Sequence, residues 1–258
     1  MFVDTHCHLN VENFAKDFDE VLKRMKKAGI SQVINVGCDL KTSQKGIDLA
    51  EKYDFMYATV GLHPHEAKDF TSDLWANLES LAQNKRVIAI GEAGLDFYRN
   101  LSTKEEQEKV FKKQCDLAKN LDLPLIIHCR DAYEEMYKIL VQEKAKKVIF
   151  HCFAGNLEFA KKIWDRGWAS AFGGMLTYPK NEDLRVIAKI CPDDLWLIET
   201  DCPYLSPQKF RSERNEPAYM IETAKVLAEL KRVDLQDLGK IEERNVEKIF
   251  GIKAPSKK

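Results

Sequence analysis

Leu123-Pro124-Leu125-Ile126-Ile127-His128-Cys129-Arg130 puts a helix stop, a short apolar strand and a metal-type ligand into eight consecutive residues. Upstream, Val110, Phe111, Leu117, Ala118 and Leu121 recur at helical spacing, and Asp122-Leu123-Pro124 ends that run. The same order of apolar strand and then polar ligand recurs along the chain. Phe2-Val3 leads into Thr5-His6-Cys7-His8, Tyr57-Ala58-Thr59-Val60 into Leu62-His63-Pro64-His65, and Val148-Ile149-Phe150 into His151-Cys152. Val87-Ile88-Ala89-Ile90-Gly91 ends at Glu92, and Leu195-Trp196-Leu197-Ile198-Glu199-Thr200 ends at Asp201. All six histidines fall at such places. Imidazoles and carboxylates gathered at the ends of many different strands are the layout of a metallohydrolase on a parallel-strand scaffold.

The alternation extends through the whole sequence. Strands are expected near 2–4, 32–36, 56–60, 87–91, 124–128, 148–151, 168–172 and 195–199. Helices are expected near 12–28, 42–53, 73–83, 103–122, 131–142, 156–166, 181–190, 217–231 and 235–250. Eight short strands, each followed by a helical segment, predict an α/β protein of the (β/α)8 TIM-barrel type. One domain over residues 1–258 is expected, with a loose tail from about 253 to 258. Gln107 and Gln114 fall on or beside the apolar face of the helix near 103–122, where they need buried partners or a place at the rim.

Composition narrows the function classes. A net charge of −1 supplies no global basic field for nucleic acid. The start, Met1-Phe2-Val3-Asp4, has no basic-then-apolar leader, and no apolar run approaches the roughly 20 residues that span a bilayer. Seven cysteines, an odd count without a Cys-x-x-Cys pair, argue against a disulfide framework and for a reduced, cytoplasmic location. Cys7, Cys129, Cys152 and Cys202 adjoin candidate ligands. In an extended segment neighbours point to opposite faces, so these thiols are expected to pack outward while the ligand points in.

His6 and His8, two apart in an extended segment, present both rings on one face and can grip one ion. Asp4 shares their parity and is read either as orienting a ring or as bonding backbone. Glu92, between glycines in Gly91-Glu92-Ala93-Gly94-Leu95-Asp96, is the expected bridging ligand, because a carboxylate can join two cations and an imidazole cannot. Asp96 is expected to cap or orient its loop more than to touch the site. Asp201 is preferred over Glu199, which comes earlier in its strand. His63 follows its strand by two residues and is expected to contact an anionic substrate; His65 reads as a loop histidine. Lys209, Phe210, Arg211 and Arg214 lie on the loop after Asp201 and suit phosphate and base contact, the alternative being a solvated charged loop.

Together these motifs are highly specific. Phe2 through Leu9, Gly61-Leu62-His63-Pro64, Gly91 through Asp96, Leu123 through Arg130, His151-Cys152-Phe153-Ala154-Gly155, Glu199-Thr200-Asp201-Cys202-Pro203-Tyr204 and Arg214-Asn215-Glu216-Pro217 resemble the TatD family of metal-dependent deoxyribonucleases, in order and over nearly the whole chain. Cys202 and Ala154 stand where the family often has serine. The resemblance implies a TIM-barrel hydrolase with two divalent ions per subunit. His6, His8, Glu92 and Asp201 would hold one; Glu92, His128 and His151 would hold the other. It implies a DNase, exonucleolytic on single-stranded ends, in which a metal-activated water attacks phosphorus. Asp201 is expected to take the water's proton alongside Glu92 at the catalytic centre, and His63 and Arg214 to bind substrate phosphate. The mixed His/carboxylate set admits Zn, Mg, Mn, Ni or Fe. DNA is the expected partner, with RNA admitted, and neither a membrane nor an obligate protein partner is expected. Rival readings are a barrel amidohydrolase or lactonase, many of which bridge their metals through a modified lysine, and a metal-dependent binding protein without catalysis. Here Glu92 occupies the bridging position and no lysine follows a strand in that way.

Overall fold

The computed structural model describes residues 1–253. The tail expected at about 253–258 lies, but for Lys253, outside the described residues. The strands are β1 (Phe2–Cys7), β2 (Ile30–Asn35), β3 (Met56–Val60), β4 (Val87–Asp96), β5 (Leu125–Arg130), β6 (Val148–Phe150), β7 (Ala169–Phe172) and β8 (Trp196–Ile198). They make one eight-stranded sheet in chain order. Between and after them run α1 (Phe18–Lys27), α2 (Leu40–Lys52), α3 (Ser72–Leu81), α4 (Lys104–Leu121), α5 (Tyr133–Gln142), α6 (Leu157–Trp164), α7 (Glu182–Ile190), α8 (Met220–Lys231) and α9 (Leu235–Phe250). The fold is the (β/α)8 TIM barrel expected from the alternation. Among the described residues, no helix is long and apolar enough to cross a membrane. The chain's contacts divide into two compact units, Asn35–His151 and Met1–Ile34 with the chain from Cys152 onward.

In the unit Asn35–His151, the β4–α4–β5 segment shows how the sequence fixes the positions of Glu92 and His128. Thr103 caps α4 reciprocally: its hydroxyl accepts from Glu106 N at 3.2 Å, and the Glu106 carboxylate accepts from Thr103 N at 2.8 Å. The helix ends on Asp122 in the left-handed region, φ 53°, with Leu123 N donating to Ala118 O at 2.9 Å. Pro124 then opens the strand, and its carbonyl accepts from Ile90 N at 2.9 Å. β4 is twice the expected length. Gly91 and Gly94 carry it past residue 91 at φ of 146° and 144°, and a Cβ on Gly94 would strike the His128 carbonyl oxygen. After a register shift between Ile90 and Ala93, Gly94 lies opposite His128 and Asp96 opposite Arg130. The α4 glutamines are both buried and partnered. Gln114 accepts from Leu62 N at 2.8 Å and donates to Leu62 O at 3.0 Å. Gln107 accepts from Asp96 N at 2.8 Å and donates to Asp96 O and Ser102 O at 3.2 and 2.9 Å.

In the other unit, β1 runs alongside β8 and the residues that follow it. Thr5 Oγ1 donates to Ile198 O at 2.9 Å, Asp201 N to His6 O at 2.8 Å and His8 N to Cys202 O at 2.8 Å. Every residue of β1 is buried. The helix expected over 12–28 is instead a 3-10 turn, Glu12–Phe14, followed by α1. Phe14 turns fully into the core, and the Asp17 carboxylate makes no cap on α1 because two arginines hold it. The helix expected from 217 likewise begins as a 3-10 turn, Pro217–Tyr219, before α8.

Candidate metal centre

Each unit carries its own cluster of ligand-type side chains at strand ends. In Asn35–His151 the cluster is built around one oxygen of Glu92. His128 Nδ1 and His151 Nε2 each lie 2.9 Å from Glu92 Oε1, and His63 Nε2 lies 3.4 Å away. Glu92 lies midway along β4, His128 in the second half of β5, His151 directly after β6 and His63 on the loop after β3; Glu92 is 4% exposed, so its charge is answered by side chains rather than water. Burial alone would raise the Glu92 carboxyl. The charges of His151 and His63 and the hydrogen bonds from His128 and His151 overcome it and hold Glu92 well below the usual carboxylate range. Burial likewise opposes charge on His128, but Asp96 and Glu92 outweigh it and raise that imidazole. His63 goes the other way: burial lowers it to about 4 despite Glu92, which leaves the ring neutral at pH 7.

Asp96 supports this cluster. Its Oδ2 lies 3.1 Å from His128 Nε2 and 2.8 Å from His65 Nε2, while Oδ1 accepts from Tyr98 N and Arg99 N at 3.0 and 2.8 Å. It therefore orients the His65 and His128 rings and caps its loop at once. His65, read from sequence as a loop residue, is held in this network.

In the other unit His6 Nε2 and His8 Nε2 face one another at 3.2 Å, their rings edge-on with centroids 5.0 Å apart. Asp201 Oδ1 lies 3.7 and 3.4 Å from them. Asp201 sits in the left-handed region, φ 57°, which turns its carboxylate back onto the β1 histidines. Glu199 Oε1 accepts from Cys152 N at 2.5 Å, and Glu199 also brings a ligand-type atom within 4.8 Å of one on His6. Asp4 takes the backbone role of its two readings, accepting from Thr200 N at 2.9 Å and Thr200 Oγ1 at 2.5 Å, and burial pushes its carboxyl up to about 7.

Asp4, Cys7 and Cys202 also bring ligand-type atoms within 4.8 Å of one another. Their chemistry does not suit a cation. Asp4 is spent on Thr200, Cys7 Sγ donates to Ile34 O at 3.4 Å, and burial drives the Cys7 thiol well above its ordinary value. The clusters around Glu92 and Asp201 do fit divalent metal. They are imidazoles and carboxylates, the donor set that hard and borderline cations share, and several nitrogens crowd one oxygen as they would around a common ion.

The loop after Asp201 is organised by its own pairings. Lys209 meets Glu222 at 3.3 Å, Arg211 lies over the Tyr178 ring at 4.0 Å, and Phe210 stacks on Tyr219 with centroids 3.8 Å apart. Arg214 forks onto Asp17 at 2.8 and 2.7 Å, donates to Asn13 O at 2.6 Å and lies over Phe14. A phosphate reaching Arg214 would have to take the place of the Asp17 carboxylate on that fork. Asp17 also pairs with Arg24, whose second partner is Glu216 at 2.7 Å.

Sequence reasoning missed Cys38. Its Sγ lies 3.5 Å from Glu92 Oε2, on the side of the carboxylate away from the histidines' Oε1 contacts. The signal was available: Val36-Gly37-Cys38 follows β2 as the other clusters follow their strands. It also missed Arg130 stacked on Tyr98 at 3.8 Å, since nothing in the spacing joins the last residue of β5 to the turn after β4.

Comparison with known proteins agrees with this chemistry. The family model for TatD related DNase matches residues 3–251. A Bacillus subtilis protein called uncharacterized metal-dependent hydrolase YabD is 40% identical over 98% of this chain and 100% of its own length. The 3'-5' ssDNA/RNA exonuclease TatD of Citrobacter koseri is 36% identical, over 96% of this chain and 98% of its own. Among solved structures, the Escherichia coli TatD homologue YJJV superposes with a TM-score of 0.92 at 28% identity, covering 97% of this chain and 98% of that one. Matched along almost its whole length, the chain belongs to the TatD family of metal-dependent deoxyribonucleases.

Proposed function

We propose that the chain is a metal-dependent exonuclease that removes nucleotides from single-stranded DNA ends and accepts RNA as a second substrate. The observation that carries this reading is the convergence of His63, His128 and His151 on one oxygen of a buried, ionised Glu92. The activity named for the Citrobacter koseri relative, a 3'-5' ssDNA/RNA exonuclease, supports the substrate class. Near-neutral net charge fits frayed or single-stranded ends better than tight duplex binding.

In this reading His6, His8, Glu92 and Asp201 hold one divalent ion, and Glu92, His128 and His151 hold the other. When bound, such ions neutralise charge on the phosphoryl oxygens and make a water more acidic. The chain's own residues do the rest. Asp201 Oδ1 accepts the proton of the water that adds to phosphorus, as the bond from phosphorus to the leaving oxygen breaks on the opposite side. Neutral His63 donates a hydrogen bond to a non-bridging oxygen without adding charge. Asp96 Oδ2 fixes the His128 ring through Nε2 and leaves Nδ1, the nitrogen on the Glu92 side, as the one that would bind an ion. Arg214 binds a phosphate by exchanging Asp17 for it.

The test uses purified protein, stripped with chelator and reloaded with one defined metal. It is assayed on end-labelled single-stranded DNA, duplex DNA and RNA. Metal-dependent shortening of single strands from one end, faster than of duplex, is expected. Cleavage that persists in chelator, or in a His128→Ala variant that remains folded, would overturn the reading.

A further inference from the structure

Tyr98 is a large aromatic residue with 61% of its surface exposed, on the loop directly after β4. The Arg130 guanidinium lies over one face of its ring, 3.8 Å from the centroid. Arg130 ends β5, lies opposite Asp96 in register, and accepts a hydrogen bond from Phe97 N at 2.9 Å. The pair is thus fixed from both strands, with one face of the ring covered by a cation and the rest open. It makes little of the protein core, yet it is not loosely attached. Asp96 Oδ1 accepts from Tyr98 N and Arg99 N, while the other oxygen of the same carboxylate lies 3.1 Å from His128 Nε2. One side chain therefore sets the position of both a candidate metal ligand and the aromatic platform. Tyr98 stands two residues past Asp96 and Arg130 two residues past His128. Along β5, at about 3.3 Å per extended residue, the His128-to-Arg130 separation is about 7 Å, or roughly two stacked nucleotide steps, and Tyr98 lies on the turn that follows Asp96.

An open aromatic face backed by a guanidinium suits a planar, electron-rich ring with a phosphate beside it. We propose that Tyr98 and Arg130 form a nucleobase-stacking subsite for single-stranded nucleic acid, holding a base one or two nucleotides from the phosphate that reaches Glu92 and His128. The inference rests on the nuclease reading and goes beyond it. It assigns where a base is held, and it makes recognition tolerant of sequence, because every base offers a π-face. The subsite gives a protein of near-neutral net charge a hold on a flexible strand that does not depend on phosphate charge alone.

Two eight-nucleotide strands test this. One carries normal bases and the other abasic tetrahydrofuran units, so the phosphates are the same. Binding is measured by fluorescence anisotropy in EDTA, and KM is measured separately with metal. Tyr98→Ala is expected to weaken the normal strand by roughly 5- to 100-fold, the range of one lost base–aromatic stack. It should change the abasic strand by less than about 2-fold, and Tyr98→Phe should restore binding of the normal strand. Equal losses on both strands would show that the variant merely disturbs the loop, and would overturn the proposal while leaving the nuclease reading intact. No loss on either strand, or a wild type that does not prefer the normal strand, would overturn it in the same way. A wild type that neither binds nor cleaves the normal strand would overturn both.

Discussion

Replacing Gln114 with methionine should destabilise the protein far more than an apolar-for-polar change on a helix normally does. Methionine has nearly the same length and volume, and it would improve the hydrophobicity of the buried α4 face that carries Val110, Phe111, Leu117 and Ala118. On transfer energy alone the variant should be neutral or better. Gln114, however, is 1% exposed and is spent entirely on the backbone of Leu62, which is also 1% exposed. Its Oε1 takes the Leu62 N–H at 2.8 Å and its Nε2 gives to the Leu62 carbonyl at 3.0 Å. Methionine would leave both backbone groups dry. Each orphaned group costs about 1–3 kcal/mol, against a gain of about 1 kcal/mol for the added apolar contact. The net loss is about 1–5 kcal/mol, a large share of the 5–15 kcal/mol by which domains are held.

The same bonds place His63, the next residue, whose Nε2 lies 3.4 Å from Glu92. The variant should therefore lose catalytic rate even where it remains folded. Urea denaturation with the free energy extrapolated to water measures the first effect, and metal-loaded turnover at low denaturant measures the second. Lys112→Ala, on the exposed side of the same helix, serves as the control and should change stability by less than about 0.5 kcal/mol. If Gln114→Met proves as stable as wild type, Leu62 finds water or another partner, and the claim that α4 holds the β3 loop through this side chain is wrong.

Three other outcomes follow from the same structure. Glu92→Gln should lower the content of both bound ions while His151→Ala mainly empties one, read by elemental analysis of protein purified with excess metal; full occupancy in the glutamine variant would refute the shared-ligand role. Arg214 and Arg24 hold the Asp17 carboxyl down at about 2, so the folded form ionises below an unfolded aspartate near pH 3.9. The stabilisation is therefore complete above about pH 4 and disappears as pH falls through about 2. Because the groups are about a third or more exposed, it should be no more than about 1 kcal/mol; the unfolding curve of Asp17→Asn should run flatter than wild type between pH 4 and 2, and parallel curves would refute the pairing. Arg214→Ala should raise KM for oligonucleotides and reduce the salt slope of binding by about 0.7 on single strands, whereas Asp17→Asn, by freeing the same fork, should lower KM; if both variants raise KM, Arg214 acts by holding its loop and not by meeting phosphate.

Some of this site could be read from the chain and some could not, and the difference is one of range. A strand end is a local event. Pro124 after a helix stop, three apolar residues and then His128 announce themselves within eight letters, and the parallel-barrel rule then carries every such end to one face. That is why His6, Glu92, His128, His151 and Asp201 stand out in the sequence as candidate ligands. The length of β4 was not, because glycine normally signals a break; here Gly91 and Gly94 let the strand run on beneath Ile126 and the His128 carbonyl, an approach set by the neighbouring strand. The division of labour among the carboxylates was hidden for the same reason. Asp4, Asp96, Glu199 and Asp201 look alike in sequence, each at or near a strand end. Only the partner decides the role: Thr200 claims Asp4, Cys152 N claims Glu199, and the rings of His65 and His128 claim Asp96. Charge on a loop proved the least legible signal. Arg214 reads from sequence as a free cation waiting for phosphate, but an aspartate nearly 200 residues earlier already occupies its fork. Its affinity for substrate is then a difference between two anions competing for one guanidinium, a quantity that no local pattern encodes.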